Sequence, residues 1–213
     1  GRDNDPKVPQ SWNLYAYVRG NPIRSVDPTG QWGEDFHLLV TQYLALSAGR
    51  SPGDALEIAM GNQAVDDTLP AGLFVPAAQF DLHFGTLETG RELYALAKSP
   101  AEQGGALHCV QDSFSHAGYG RPWGHFWSGT RPDKVYLRPK TAMAAAEETF
   151  RLLAGGSGAK LDKSFLEKVF ATKDDALRVA LLRRAIKALE EAEMERHHVK
   201  QPALAQTDSP RKP

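Results

Sequence analysis

From about Glu34 onward the apolar residues of this chain recur at helical spacing, and that period restricts the fold more than any other feature. Phe36, Leu39, Val40, Tyr43, Leu44 and Leu46 mark the first stretch, and Ser51-Pro52 then supplies an N-cap serine with proline at the first helical position. Further helices are predicted at about 53–65, 86–98, 101–116, 139–154, 161–171 and 173–198, the last with Val179, Leu182, Ile186 and Leu189 along one face. Gly155-Gly156-Ser157-Gly158 reads as a break between two of them. The expectation is an all-α, multi-helix domain over residues 32–198.

Residues 1–31 read differently. Asp5-Pro6, Asn21-Pro22, Asp27-Pro28 and Gly30 punctuate them with turns, and Asn13-Leu14-Tyr15-Ala16-Tyr17-Val18 between reads as an extended strand. They form a leader, and residues 199–213, with three prolines and few large apolar groups, read as a disordered tail. The opening residues have no apolar signal-peptide core, and the polar start reads as the interior of a longer polypeptide. Twenty-five basic against 26 acidic side chains leave a net charge of −1, which supplies no general attraction to phosphate backbones. Cys109 is the only cysteine, so no disulfide can form within the chain, and stability must come from packing or metal.

Five of the seven histidines, His37, His83, His108, His116 and His125, fall before residue 126. His108, Asp112 and His116 follow one another at steps of four, which places three ligand types along one face of a predicted helix. Imidazole nitrogens with a carboxylate suit zinc, and one helix provides only part of a shell. Other helices must give the rest, with His37, Asp66 or Asp67, and His83 in Phe80-Asp81-Leu82-His83-Phe84 as candidates. His125, Asp133, Glu147 and Glu148 stand as unranked substitutes. Gln111 and Ser115 flank the ligands as candidate hydrogen-bonding supports, Cys109 lies off the ligand face as a small buried residue, and His197-His198 read as helix-end residues. Tyr119, Trp123, Phe126 and Trp127, interleaved with glycines, form an aromatic loop suited to a substrate mouth, a lipid interface or a plug over the core.

Two resemblances add to this reading. Asn13–Val18, Asn21-Pro22 and Asp27-Pro28-Thr29-Gly30 resemble the closing motif of the Rhs/YD-repeat core, a shell that encloses a variable C-terminal toxin. The resemblance implies that the residues after Gly30 are the toxin, that it is secreted or delivered into target cells as part of the Rhs polypeptide, and that a cognate immunity protein exists. Asp5 and Asp27 match the aspartates that act in self-cleavage in that family, although Val8 and Gln31 stand where glycine and leucine are usual.

The helical part is similar to the zinc-dependent phospholipase C family, whose fold single-strand nucleases share. Trp32-Gly33-Glu34-Asp35-Phe36-His37, an isolated aspartate after the second helix, His83-Phe84, and Ala106-Leu107-His108 with Asp112 follow that family's order. The resemblance implies Asp66 or Asp67, His83, His108 and Asp112 around one zinc, Asp112 bridging to a second held by His37, and a further metal at His116, hence one to three ions. The family's later His-x-x-x-Glu pair is missing, since Gly129 stands four residues after His125. Trp32 matches a chain-terminal tryptophan whose amine and carbonyl ligate zinc, so cleavage after Gln31 would create that ligand.

The reaction implied is phosphodiester hydrolysis, with Asp66 or Asp67 as ligand or general base and zinc lowering the pKa of a water toward about 7. Membrane phospholipid is the substrate expected. A zinc nuclease on the same scaffold is the first alternative, and nucleic acid the less favoured substrate. A non-catalytic interaction module with structural zinc is the second.

Overall fold

The computed structural model describes residues 35–68, 85–115 and 135–200, with side chains described through 66 in the first segment and 196 in the last. Every regular element among them is helical, as the apolar period requires. A π-helical turn, Asp35–Val40, runs directly into α1 (Thr41–Ser47). Then follow α2 (Pro52–Thr68), α3 (Leu87–Leu96), α4 (Pro100–Ser115), a 3-10 turn at Val135–Leu137, α5 (Pro139–Ala154), α6 (Lys163–Ala171) and α7 (Asp175–Lys200). The expected helices are all present, with ends displaced by no more than a few residues. The leader of residues 1–31, its strand and the boundary near Trp32 lie outside the described residues, as does the tail beyond Lys200, while Val199 and Lys200, expected in the tail, belong to α7.

Local chemistry sets most helix starts. Ser51, Thr86, Ser99, Asp162 and Asp174 each accept a backbone N–H from the first turn that follows, satisfying a donor the helix itself leaves over. At α4 the cap is reciprocal, because the Glu102 carboxylate takes the N–H of Lys98. Gly155 closes α5 in the left-handed region at φ 51°, where a side chain would be strained.

Helix α4 packs between α2, α3 and α5, while the π-helical turn and α1 lie against α2, α5 and α7; α6 touches both α5 and α7. The α2–α4 contact is backbone on backbone. A Cβ on Gly104 would sit 2.1 Å from the Ile58 carbonyl oxygen, and one on Gly61 would sit 2.3 Å from that of Ala101. No side chain fits there, so the two glycines permit an approach that other residues would forbid. The helices run in the same sense: Ile58 meets Gly104, Asn62 meets His108, and Asp66 lies beside His108 near the end of α2.

The other half of the interior is apolar. Phe36 stacks on Phe170 with ring centroids 5.7 Å apart, and Leu44, Leu166 and Leu182 are fully buried around them. Burying each such side chain stabilises the fold by about 1.5–3 kcal/mol before the entropy cost. A charged cluster interrupts it. Buried Arg178 donates to Asp35, Asp175 and the Thr172 carbonyl, tying the start of α7 to the π-helical turn. Burial pushes the Asp35 carboxyl above its ordinary value, and the Arg178 guanidinium pulls it partly back. No helix among the described residues is long and apolar enough to cross a membrane.

Candidate metal centre

Four of the expected ligands meet at one point. His37 comes from the π-helical turn, Asp66 from the last turns of α2, and His108 and Asp112 from successive turns of α4. Both imidazoles are fully buried, and the two carboxylate side chains retain only slight exposure. The Nε2 of His108 lies 3.5 Å from Asp66 Oδ1 and 3.3 Å from Asp112 Oδ2. The Nε2 of His37 lies 3.9 Å from Asp66 Oδ2 and 3.7 Å from Asp112 Oδ1. Each carboxylate therefore turns one oxygen toward each imidazole. Donor atoms of His37, Asp66 and His108 all fall within 4.8 Å of one another, so this cluster can hold a metal ion, and Asp112 stands beside it on α4.

These spacings are longer than good N–H···O hydrogen bonds. Two ligand atoms at 2.0–2.2 Å from a common tetrahedral ion stand about 3.3–3.6 Å apart. The His108 distances fall in that interval, and those of His37 exceed it by a few tenths of an ångström. Charge points the same way. The carboxylates bring two negative charges into a buried pocket, which is costly unless a cation compensates them. The imidazoles stack on each other with centroids 4.3 Å apart and planes 29° from parallel, so protonating both would set two positive charges face to face. A dication between them would balance the two carboxylates with both rings neutral.

Burial alone would lower the pKa of His108. The carboxylates of Asp112 and then Asp66 outweigh burial and leave it raised above the usual imidazole value when no metal is present.

A buried polar layer backs the ligands. His37 Nδ1 lies 2.8 Å from Gln111 Oε1, and His108 Nδ1 lies 3.2 Å from Asn62 Oδ1. Gln111 thus fills the supporting role expected of it. Ser115 does not, because its hydroxyl donates to the Asp112 carbonyl of its own helix. A serine near a helix end readily turns back in this way. Cys109 is buried off the ligand face as expected, its sulfur 3.8 Å from the Thr86 carbonyl. Of the unranked substitutes, Glu147 pairs with Lys163 at 2.6 Å, and Glu148 is held by Arg91 and Arg151 at 2.7 Å each. Those guanidinium groups pull the Glu148 carboxyl down to about 2, Arg151 contributing most.

Asp67 lies in the last turn of α2, and its side chain is outside the described residues, as are those of His197 and His198. Asp5, Asp27, Trp32, His83, His116, His125, Asp133 and the aromatic loop from Tyr119 to Trp127 also lie outside them. Sequence reasoning missed Thr41, Asn62 and Thr149. Two of the three carried a signal, since Thr41 follows His37 by four residues and Asn62 precedes Asp66 by four, the same helical step that singled out His108 and Asp112. No family model, curated protein or solved structure matches the chain significantly.

Proposed function

We propose that the helical domain is a zinc-dependent phosphodiester hydrolase, acting most readily on membrane phospholipid, and that it is the C-terminal toxin of an Rhs-type polypeptide. The observation that supports the enzymatic reading is the convergence of two imidazoles and two carboxylates from three segments of chain on one buried point. Mixed nitrogen and carboxylate donors favour zinc over magnesium or calcium, which take oxygen ligands. His37, Asp66, His108 and Asp112 hold the metal in this reading. When bound, zinc supplies the Lewis acidity that phosphoryl-oxygen polarisation and water activation require. The chain's own part is to hold both rings with Nε2 inward, keep the carboxylates dry on their α2 and α4 sides, and leave Asp66 and Asp112 slightly exposed where substrate would enter. The toxin and delivery reading rests on the resemblance of residues 13–30 to an Rhs ending, with a cognate immunity protein as its partner.

Phosphorus-31 detection of head-group release from phosphatidylcholine liposomes, run beside digestion of single-stranded DNA, tests substrate class. Chelator-sensitive head-group release that His108→Ala and Asp112→Ala abolish is the expected result. Cleavage of DNA alone moves the assignment to the nuclease. Zinc bound without either activity leaves a structural metal, and zinc content measured for chains starting at Gly1 and at Trp32 shows whether release of Trp32 adds a ligand.

A further inference from the structure

We propose that Thr41 is the positioning residue of this centre: its single hydroxyl proton selects the orientation of two buried amides, and these place the ring proton of both histidines on Nδ1. The proposal rests on the metal reading above and adds how the ligand state is chosen. Thr41 Oγ1 is completely buried, 2.9 Å from Gln111 Nε2 and 3.2 Å from Asn62 Nδ2. Its own proton has the Phe36 carbonyl, at 3.4 Å. Asn62 Nδ2 also donates to Gln111 Oε1 at 3.1 Å, and Gln111 Nε2 to Thr149 Oγ1 at 3.3 Å. The oxygen end of each amide is therefore left for an imidazole, Gln111 for His37 and Asn62 for His108.

An amide has a donor end and an acceptor end, so each of the two has a flipped alternative. Flipping Asn62 alone sets its oxygen against Gln111 Oε1. Flipping Gln111 alone sets its NH2 against that of Asn62. Flipping both restores the bond between the amides but turns two oxygens toward Thr41, which has one proton to give. Only the observed arrangement satisfies every contact. An amide oxygen solely accepts, so each Nδ1 carries the proton and each Nε2 presents its lone pair to the metal, the arrangement a ligand histidine needs. In the doubly flipped network the ring protons would move to Nε2 and block the ligand atoms.

Long-range ¹H–¹⁵N NMR of the histidine rings reads the protonated nitrogen directly, without reference to catalysis. Wild type and Thr41→Ser are expected to show Nδ1–H on both rings in metal-free and zinc-titrated protein, with equal zinc affinity. Thr41→Val removes the bias and is expected to show a mixture of Nδ1–H and Nε2–H rings, with zinc affinity lower by up to about 10–100-fold. An Nδ1 without a proton on either wild-type ring, zinc held through Nδ1, or unchanged affinity in Thr41→Val overturns the proposal. Should Thr41→Val not fold, Thr41→Ala, which removes the same hydroxyl with less bulk, takes its place and is read in the same way. Rings carrying Nδ1–H in a protein that takes up no zinc refute the metal reading and leave the selection by Thr41 standing.

Discussion

Phe36 and His37 are adjacent, equally buried, and belong to different interiors. Phe36 faces α6 and packs on Phe170, among leucines whose partners are interchangeable so long as volume is kept. His37 faces α4 and stacks on His108, in a layer where Thr41, Asn62, Gln111 and Thr149 each have an assigned hydrogen-bond direction. The apolar half stabilises by area and contact. The polar half yields little net stability, since a satisfied buried hydrogen bond contributes about 1 kcal/mol and an unmet one costs more than that. A chain that required only a stable core would use leucine in both places, so the polar half is the half that could hold a metal ion.

The sharpest way to break the comparison lies at the charged cluster of the apolar half, Arg178 with Asp35 and Asp175. Arg178→Met leaves the Asp35 carboxyl buried without its guanidinium and is expected to destabilise the fold by about 3–5 kcal/mol in urea unfolding. Zinc affinity, measured while the variant is still folded, should stay near wild type. A matching loss of affinity would show that the two halves are not separable. Gly104→Ala attacks the polar half through its frame. Pushing α2 from α4 is expected to cost about 1–3 kcal/mol, and zinc binding should weaken more than stability does. Calorimetric titration beside thermal melts checks both.

The smallest effect is in pH. With the folded-state pKa of His108 raised, its contribution is complete below the unfolded value near 6.5 and is lost as pH rises through the folded value. Metal-free protein should therefore weaken on the alkaline side, and zinc should remove that slope. Glu148 has the opposite sign. Its contribution is present above the ordinary value of 4.5 and lost as pH falls toward about 2. Arg91 and Arg151 are largely exposed, so this acid loss should stay below about 1 kcal/mol and be indifferent to zinc.

How much of this was legible in the chain depends on whether a signal was local. His108 and Asp112 stand out because a ligand pair at one helical step is itself a local pattern. His37 and Asp66 lie 29 residues apart, and only their order along a resembling sequence linked them. Thr41, Asn62 and Thr149 are residue types that occupy surfaces everywhere, and their role exists only once three helices bring them to Gln111. The π-helical turn was also hidden. Phe36, Leu39 and Val40 fit an ordinary helical period, while the Thr41 hydroxyl reaches the carbonyl five residues back, a contact that accompanies the wider winding. Glu147 and Glu148 could not be ranked because a carboxylate reads alike in sequence whether a cationic side chain or a metal claims it.

The shared direction of α2 and α4 has an electrostatic consequence. Each helix C-terminus carries the equivalent of roughly half a negative charge, and parallel neighbours bring these like poles together; at α4 the Arg138 guanidinium offsets part of it by donating to the Ser115 carbonyl at 2.7 Å. Asp66 and Asp112 both sit in the closing turns, so their carboxylates add to the negative end rather than offset it. A helix pair so arranged repels itself at one end, and the two glycines that let the backbones touch keep the poles from separating. Arg138 relieves part of this at the end of α4, and a positive ion beside the stacked rings of His37 and His108 would relieve the rest.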